Sequence, residues 1–255
     1  FIAYNFYETN NKIDQSNYLE NSQILPTILT DQKIPKIIIQ TWKTDTVPQR
    51  YVKLINTIKE TNPDYEYKFF TDETIEEFFK QFYPEYYNTY LNLPVKIQRI
   101  DFFRYVAVYH FGGFYMDLDM RGIKPLDDLL HYDCVFPIDE LITKQMCNNY
   151  RYKPFCDKGY YYLLGQYAFG ARPKHPFIKL LIENIHQNLY KLIKNIDLNS
   201  EHYVYNSTGP DYVTNMYINY SNNKDIFILN NGKRQYFGDY AQHHFFGTWK
   251  VNPNN

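Results

Sequence analysis

Within the stretch IPKIIIQTWK, residues Ile37, Ile38 and Ile39 form an unbroken β-branched run. Successive side chains of a strand point to opposite faces, so a run with no polar member has no face that it can show to water. Such a strand must be covered on both sides, as in a sheet sandwiched between helices. Gln40, Thr41 and Trp42 then fall at its carboxyl end, the edge at which open α/β sheets bind ligands. The following residues have the matching β-α-β order. Val52, Leu54, Ile55 and Ile58 recur at helical spacing, YEYKFFTDE reads as a second strand ending in a helix cap at Thr71 and Asp72, and ETIEEFFKQFY reads as a second helix. A tyrosine-rich connector is expected next, then a third helix over about residues 95–111, closed by Gly112 and Gly113. Further on, AFGARP reads as a short strand and turn, PFIKLLIENIHQNLYKLI as a long amphipathic helix, TGPDYVTNMYINY as a helix started by Pro210, and DIFILNN as a strand. The pattern predicts an α/β fold with a mostly parallel central sheet.

A chain of 255 residues with 44% hydrophobic content can bury a sizeable core, and one domain is the simplest organisation. Residues 1–32 are polar, rich in Asn and Gln and without periodicity; they read as a stem or arm, with the domain proper over 33–255. The net charge of −1 comes from 27 basic and 28 acidic residues spread along the whole length, which leaves no basic stripe for a nucleic-acid backbone. The 28 tyrosines and 19 phenylalanines accompany many Asn, Ile and Lys, all with A/T-rich codons, so few of these rings are expected in a binding site. Cys134, Cys147 and Cys156 fit no metal knuckle and allow at most one bridge. Asn206-Ser-Thr and Asn219-Tyr-Ser are glycosylation acceptors if the chain is secreted. No stretch approaches the ~20 apolar residues of a membrane span. The sequence begins at Phe1, so a removed N-terminal anchor is compatible with it; the compartment would then be the Golgi or ER lumen, and otherwise the cytoplasm.

The chemistry is concentrated around GGFYMDLDM, residues 112–120. Read as one strand, it puts Phe114, Met116, Leu118 and Met120 on one face and Tyr115, Asp117 and Asp119 on the other. Two same-face carboxylates roughly 6–7 Å apart can serve one cation, which would relieve their repulsion. On a helical wheel, the preceding segment VKIQRIDFFRYVAVYHF turns Lys96, Arg99 and His110 outward and Gln98, Asp101, Arg104 and Tyr105 inward. Taken alone, Asp101 and Arg104 would be a buried salt bridge of little net value, and a bare Asp-x-Asp would be a common surface turn. Together, Arg-x-Asp-x-x-Arg-Tyr from Arg99 and Gly-Gly-x-Tyr-x-Asp-x-Asp from Gly112 make a far more specific composite.

That composite resembles the sugar-binding region of glycosyltransferase family 32, which includes fungal initiating α-1,6-mannosyltransferases and whose motif large clostridial glucosylating toxins share. IPKIIIQTWK, NPDYEYKFFTDE, ARPKHPF, STGP and HHFFGTWK extend the resemblance over about residues 34–250. It implies a GT-A type, Rossmann-like nucleotide-sugar-binding fold and a metal-dependent, configuration-retaining hexosyltransferase. By the same resemblance, Asp117 and Asp119 would hold Mn²⁺ or Mg²⁺ against the donor diphosphate, with His243 as third ligand and His244 as the alternative. Asp101 and Arg104 would contact the sugar and ribose, Tyr115 would line that pocket, Trp42 with Thr41 would receive the base, Gln166 would reach the sugar, and Thr248 and Trp249 would sit against the diphosphate. The donor would be a UDP-sugar or GDP-mannose and the acceptor a glycan or glycoprotein, with the Tyr-rich segments 82–92 and 145–163 as candidate acceptor loops. Two departures bear on the donor site. Ile39 stands where the family commonly has His, and Gln166 where many relatives have Asn. A non-catalytic binding module and a metal phosphohydrolase are the competing classes. The first has no need of the intact aspartates and arginine, and the second needs further carboxylates that no motif supplies.

Overall fold

The computed structural model describes residues 31–195, 197, 200–230 and 236–247. The expected arm at 1–32, apart from Asp31 and Gln32, lies outside the described residues, as do Thr248 and Trp249. The chain opens with strand β1 (Ile37–Thr41), helix α1 (Gln49–Thr61), β2 (Glu66–Phe70), α2 (Asp72–Phe82), α3 (Pro84–Asn92), α4 (Lys96–Phe111) and β3 (Gly113–Met116). The cap read at Thr71 is a reciprocal one. The Thr71 hydroxyl accepts from the Thr74 amide at 3.2 Å, and the Thr74 hydroxyl accepts from the Thr71 amide at 2.8 Å.

Two expectations are corrected here. The tyrosine-rich connector is helix α3, begun by Pro84, because Tyr86, Thr89 and Tyr90 sit at i, i+3, i+4 and bury one face. The strand read through Met120 stops at Met116, its last pair being Met116 with Ala168. There the Asp117 amide donates to the Tyr167 carbonyl (2.7 Å) and the Met120 amide to the Asp117 carbonyl (3.1 Å), so residues 117–119 are a turn. The chain continues through β4 (Met120–Gly122), β5 (Cys134–Leu141), α5 (Lys153–Cys156), β6 (Tyr162–Leu164), β7 (Ala168–Ala171), α6 (Pro176–Lys194), α7 (Glu201–Ser207), α8 (Pro210–Ile218), β8 (Ile226–Leu229), β9 (Tyr236–Phe237) and β10 (Ala241–His243).

The main sheet has seven strands in the order β2-β1-β3-β7-β5-β6, with β8 beside β5. Strands β1, β2, β3, β5 and β8 run one way and only β7 and β6 run against them, which makes the sheet mostly parallel with one reversed strand inside it. The triple isoleucine accounts for the layering. Ile39 packs into the core on the face that holds Phe79, Phe102, Phe103 and Tyr115, while Ile38 packs on the opposite face with Phe114, Met116 and Met120. Both faces are therefore dry, and most of the aromatic surplus fills them. A second sheet, β4-β10-β9, lies at the edge where the turn emerges. Cys147 and Cys156 form a disulfide and Cys134 is free and buried, in keeping with one bridge at most. Among the described residues no helix is long and apolar enough to cross a membrane.

Entry into β3 depends on two glycines. Gly112, at φ 70°, ends α4, and Gly113, at φ 83°, approaches β1 so closely that an added Cβ would lie 2.5 Å from the Ile37 carbonyl oxygen. Gly113→Ala combines that clash with a left-handed backbone and should cost about 2–4 kcal/mol. Urea unfolding monitored by circular dichroism reads this directly, and an unshifted midpoint would contradict it.

Candidate active site

Helix α4 delivers Asp101 and Arg104 one turn apart on its inward face, where their side chains are 1% and 2% exposed. The Arg104 guanidinium bridges two elements. Its Nη2 lies 3.2 Å from Asp101 Oδ1 and 3.2 Å from Asp117 Oδ1, its Nη1 donates to the Gln166 carbonyl at 2.9 Å, and its plane stands 4.5 Å from the Tyr115 ring centre. Two hydroxyls also join the group. The Thr208 hydroxyl donates to Asp101 Oδ2 (2.7 Å), and the Tyr115 hydroxyl donates to Asp117 Oδ1 (2.9 Å) while lying 3.3 Å from the Thr41 hydroxyl. Burial pushes the Asp101 carboxyl up to about 6, against the pull of Arg104 and Thr208.

The turn after β3 places Asp117 and Asp119 together by a route different from strand alternation. Gln40, fully buried in β1, donates from its side-chain amide to the Asp117 carbonyl (3.1 Å) and accepts from the Tyr67 hydroxyl (2.8 Å), which pins the turn to the sheet. From the other side, β10 pairs with β4 so that His243 opposes Met120. The imidazole Nε2 then lies 3.2 Å from Asp119 Oδ1. One ligand atom from each of Asp117, Asp119 and His243 falls within 4.8 Å of the others. His244, the first residue past the end of β10, is exposed and its ring packs against Phe246 instead. Two carboxylates and one imidazole are a donor set that suits Mn²⁺ or Mg²⁺. Burial holds the Asp117 carboxyl above its usual range, with Arg104 opposing and Asp119 adding to the effect. For Asp119 burial is outweighed by His243 and by the Phe246 amide, which donates to Oδ2 at 2.9 Å, and its carboxyl falls below the usual range.

A cavity of about 370 Å³ opens beside this group, and Asp101, Arg104, Asp117, Gln166 and His243 all line it. Tyr115 and Thr41 stand behind Arg104 and Asp117 as hydrogen-bond partners. Trp42 does not line the cavity; its ring packs 4.8 Å from Tyr51, which meets Phe246 at 5.4 Å, and the Arg50 guanidinium lies 5.0 Å from the Phe246 ring. Sequence reasoning placed Gln40 at the ligand-binding edge of β1 without giving it a role, and it missed Tyr51 and Phe246. Of those two, only Phe246 carried a signal, its place in the unusual HHFFGTW segment. Of the candidate acceptor loops, segment 82–92 turns Tyr83, Tyr86 and Tyr90 into the core and none of its residues lines this cavity, whereas segment 145–163 contributes Arg151.

Residues 48–136 match the family model described as the glycosyltransferase sugar-binding region containing the DXD motif. Over that stretch the chain is similar to the DXD-containing glycosyltransferases. Inositol phosphoceramide mannosyltransferase 3 of Schizosaccharomyces pombe is 44% identical over 99 residues, 39% of this chain and 28% of that protein. A mannosyl phosphorylinositol ceramide synthase of Saccharomyces cerevisiae is 30% identical over 184 residues, 72% of this chain and 41% of that protein. The matched stretches thus span less than half the length of these relatives. Among solved structures, the PaToxG glycosyltransferase superposes with a TM-score of 0.52 at 17% identity, covering 72% of this chain and 69% of that one. The ligand-free glycosyltransferase domain of the YGT toxin does so with a TM-score of 0.52 at 10% identity, covering 78% of this chain and 80% of that one. These likenesses establish the α/β glycosyltransferase fold.

Removing Arg104 would leave Asp101 buried without its cation. Arg104→Met should therefore lose about 3–5 kcal/mol of stability. Adding Asp101→Asn should recover part of that loss, since the orphaned carboxylate is then gone. Chemical denaturation of the single and double variants tests both expectations, and a double variant less stable than the single one would refute the pairing.

Proposed function

We propose that the chain is a metal-dependent glycosyltransferase that moves a hexose from a UDP- or GDP-linked donor to a hydroxyl of a glycan or glycoconjugate, with residues 33–255 as its catalytic domain. The observation that carries this reading is the convergence of Asp117, Asp119 and His243 beside the Arg104–Asp101 pair at one cavity. A divalent cation held by Asp117, Asp119 and His243 would neutralise the diphosphate as it leaves. Asp101 and Arg104 would orient the donor sugar. Their mutual engagement in a buried network fixes those rotamers before any ligand arrives, which is the preorganisation that transfer at an anomeric carbon needs. The Trp42–Tyr51–Phe246 group is an aromatic shelf on which the nucleotide base could stack.

The resemblance to a retaining family makes retention the expected outcome. No motif carboxylate is an obvious nucleophile: Asp101 is held by Thr208 and Arg104, Asp117 Oδ1 by Tyr115 and Arg104, and Asp119 by His243 and the Phe246 amide. That supports attack from the face of the departing phosphate: the acceptor oxygen bonds to the anomeric carbon, the bond to the diphosphate breaks with its electron pair, and the hydroxyl proton passes to the leaving phosphate oxygen. The similarity to an inositol phosphoceramide mannosyltransferase and a mannosyl phosphorylinositol ceramide synthase makes mannose the first sugar to try and an inositol-bearing glycolipid the first acceptor. The Cys147–Cys156 disulfide supports an oxidising compartment such as the secretory lumen.

A panel of UDP- and GDP-sugars with MnCl₂ should yield nucleoside diphosphate by transfer or slow hydrolysis. Asp119→Asn should lower the rate about 100-fold or more. Calorimetry with UDP and GDP should show affinity rising about tenfold or more when Mn²⁺ replaces chelator. Equal nucleotide affinity in both conditions, with turnover persisting in Asp117→Asn/Asp119→Asn, would falsify the reading.

A further inference from the structure

The cavity has a second polar wall that none of the donor-binding motifs explains. It is formed where β5 ends, and β5 is irregular there: Ile138 pairs with Leu164 and Glu140 with Leu163, so Asp139 is an extra residue without a partner on β6. Such a bulge re-aims a side chain, and bulges are common beside active sites. Its effect is visible in the lining. Asp139 and Glu140 are consecutive and would face opposite ways in a regular strand, yet both line the cavity.

The neighbours of Asp139 are already committed elsewhere. Glu140 accepts from the Tyr152 hydroxyl at 3.1 Å on both oxygens and lies 3.7 Å from Arg151. Arg151 is held by Asp211, itself 1% exposed, through Nε at 2.9 Å and Nη2 at 2.7 Å. The loop carrying Arg151 and Tyr152 is closed at both ends by the Cys147–Cys156 disulfide. Asp139 alone has no hydrogen-bond or ion-pair partner among the described residues. Burial and Glu140 push its carboxyl up to about 6, while His243 and Arg151 pull the other way, so it lies within the electrostatic reach of both the metal-ligand group and the Arg151 wall. The wall itself presents two carboxylates, Asp139 and Glu140, and one guanidinium whose charge Asp211 already balances from behind, so it disfavours an anionic ligand and suits neutral hydroxyl donors.

We propose that Asp139 is an acceptor-binding residue: its carboxylate accepts a hydrogen bond from a hydroxyl of the neutral, polyhydroxylated part of the acceptor and holds the neighbouring attacking oxygen against the donor sugar. The proposal rests on the transferase reading above. Asp139 takes no proton in the step, which still passes to the leaving phosphate, so its contribution is one of binding and position.

The full chain is assayed with GDP-mannose, UDP-glucose and UDP-galactose in MnCl₂, first without acceptor to read hydrolysis and then with methyl α-D-mannopyranoside or myo-inositol to read transfer. Asp139→Asn should raise the acceptor KM about 10- to 100-fold and cut transfer at least tenfold more than it cuts hydrolysis. Asp139→Ala should follow it, with Mn²⁺-dependent binding of GDP or UDP reporting that the donor side is intact in both variants. An unchanged acceptor KM, or a fall in hydrolysis as large as the fall in transfer, overturns the assignment while leaving the transferase reading in place. If the unmodified chain neither hydrolyses nor transfers from any donor, the transferase reading falls and takes this proposal with it.

Discussion

The buried guanidinium of Arg104 is the interaction on which the rest of the site depends. Taking that charge out of water is costly, and the cost is offset only because Asp101, Asp117, the Gln166 carbonyl and the face of Tyr115 all meet it. Each of these comes from a different part of the chain: helix α4, the turn after β3, the approach to β7, and β3 itself. One side chain therefore fixes the helix against the sheet and holds Asp117 in place. Asp101, Asp117 and Asp119 against Arg104 also leave a local surplus of two negative charges when His243 is neutral. A divalent cation would balance that surplus, which is why a stable arrangement of this kind can also be a receptive one.

Much of this was legible in the sequence because it depends on short-range periodicity. The isoleucine run foretold a sheet covered on both faces, and Ile38 and Ile39 occupy the two opposite cores. The helical wheel of α4 turned Asp101 and Arg104 inward, where they lie. Features that depend on distant partners left no such trace. β3 stops at Met116 because the Tyr167 carbonyl takes the Asp117 amide, a bond between residues fifty apart. The tyrosines of α3 looked like connector material because Tyr is polar enough to sit in a loop. In the fold the rings of Tyr86 and Tyr90 are buried and the Tyr86 hydroxyl finds Glu183 at 2.6 Å. Asp139 was invisible for a related reason. A bulge inserts one residue into a strand without changing its composition, so the pattern of β5 gives no hint that Asp139 and Glu140 share a side.

Register favours His243 over His244 as the third ligand of the proposed metal site. Two ligands of the proposed metal site come from the turn after β3, and the third arrives from the far end of the chain on β10. Nothing in the local sequence favours one histidine strongly, but β10 pairs with β4 at Ala241–Gly122, Gln242–Arg121 and His243–Met120. A slip of one residue would exchange every inward and outward side chain, presenting Gln242 or His244 to Asp119. The register is held beyond the strand by two more bonds to the same residue, from the His244 amide to the Asp119 carbonyl (3.0 Å) and from the Phe246 amide to Asp119 Oδ2. Asp119 thus organises the segment that completes its own ligand set, so the entropy of bringing the distant histidine back is spent in folding and not at the moment of donor binding.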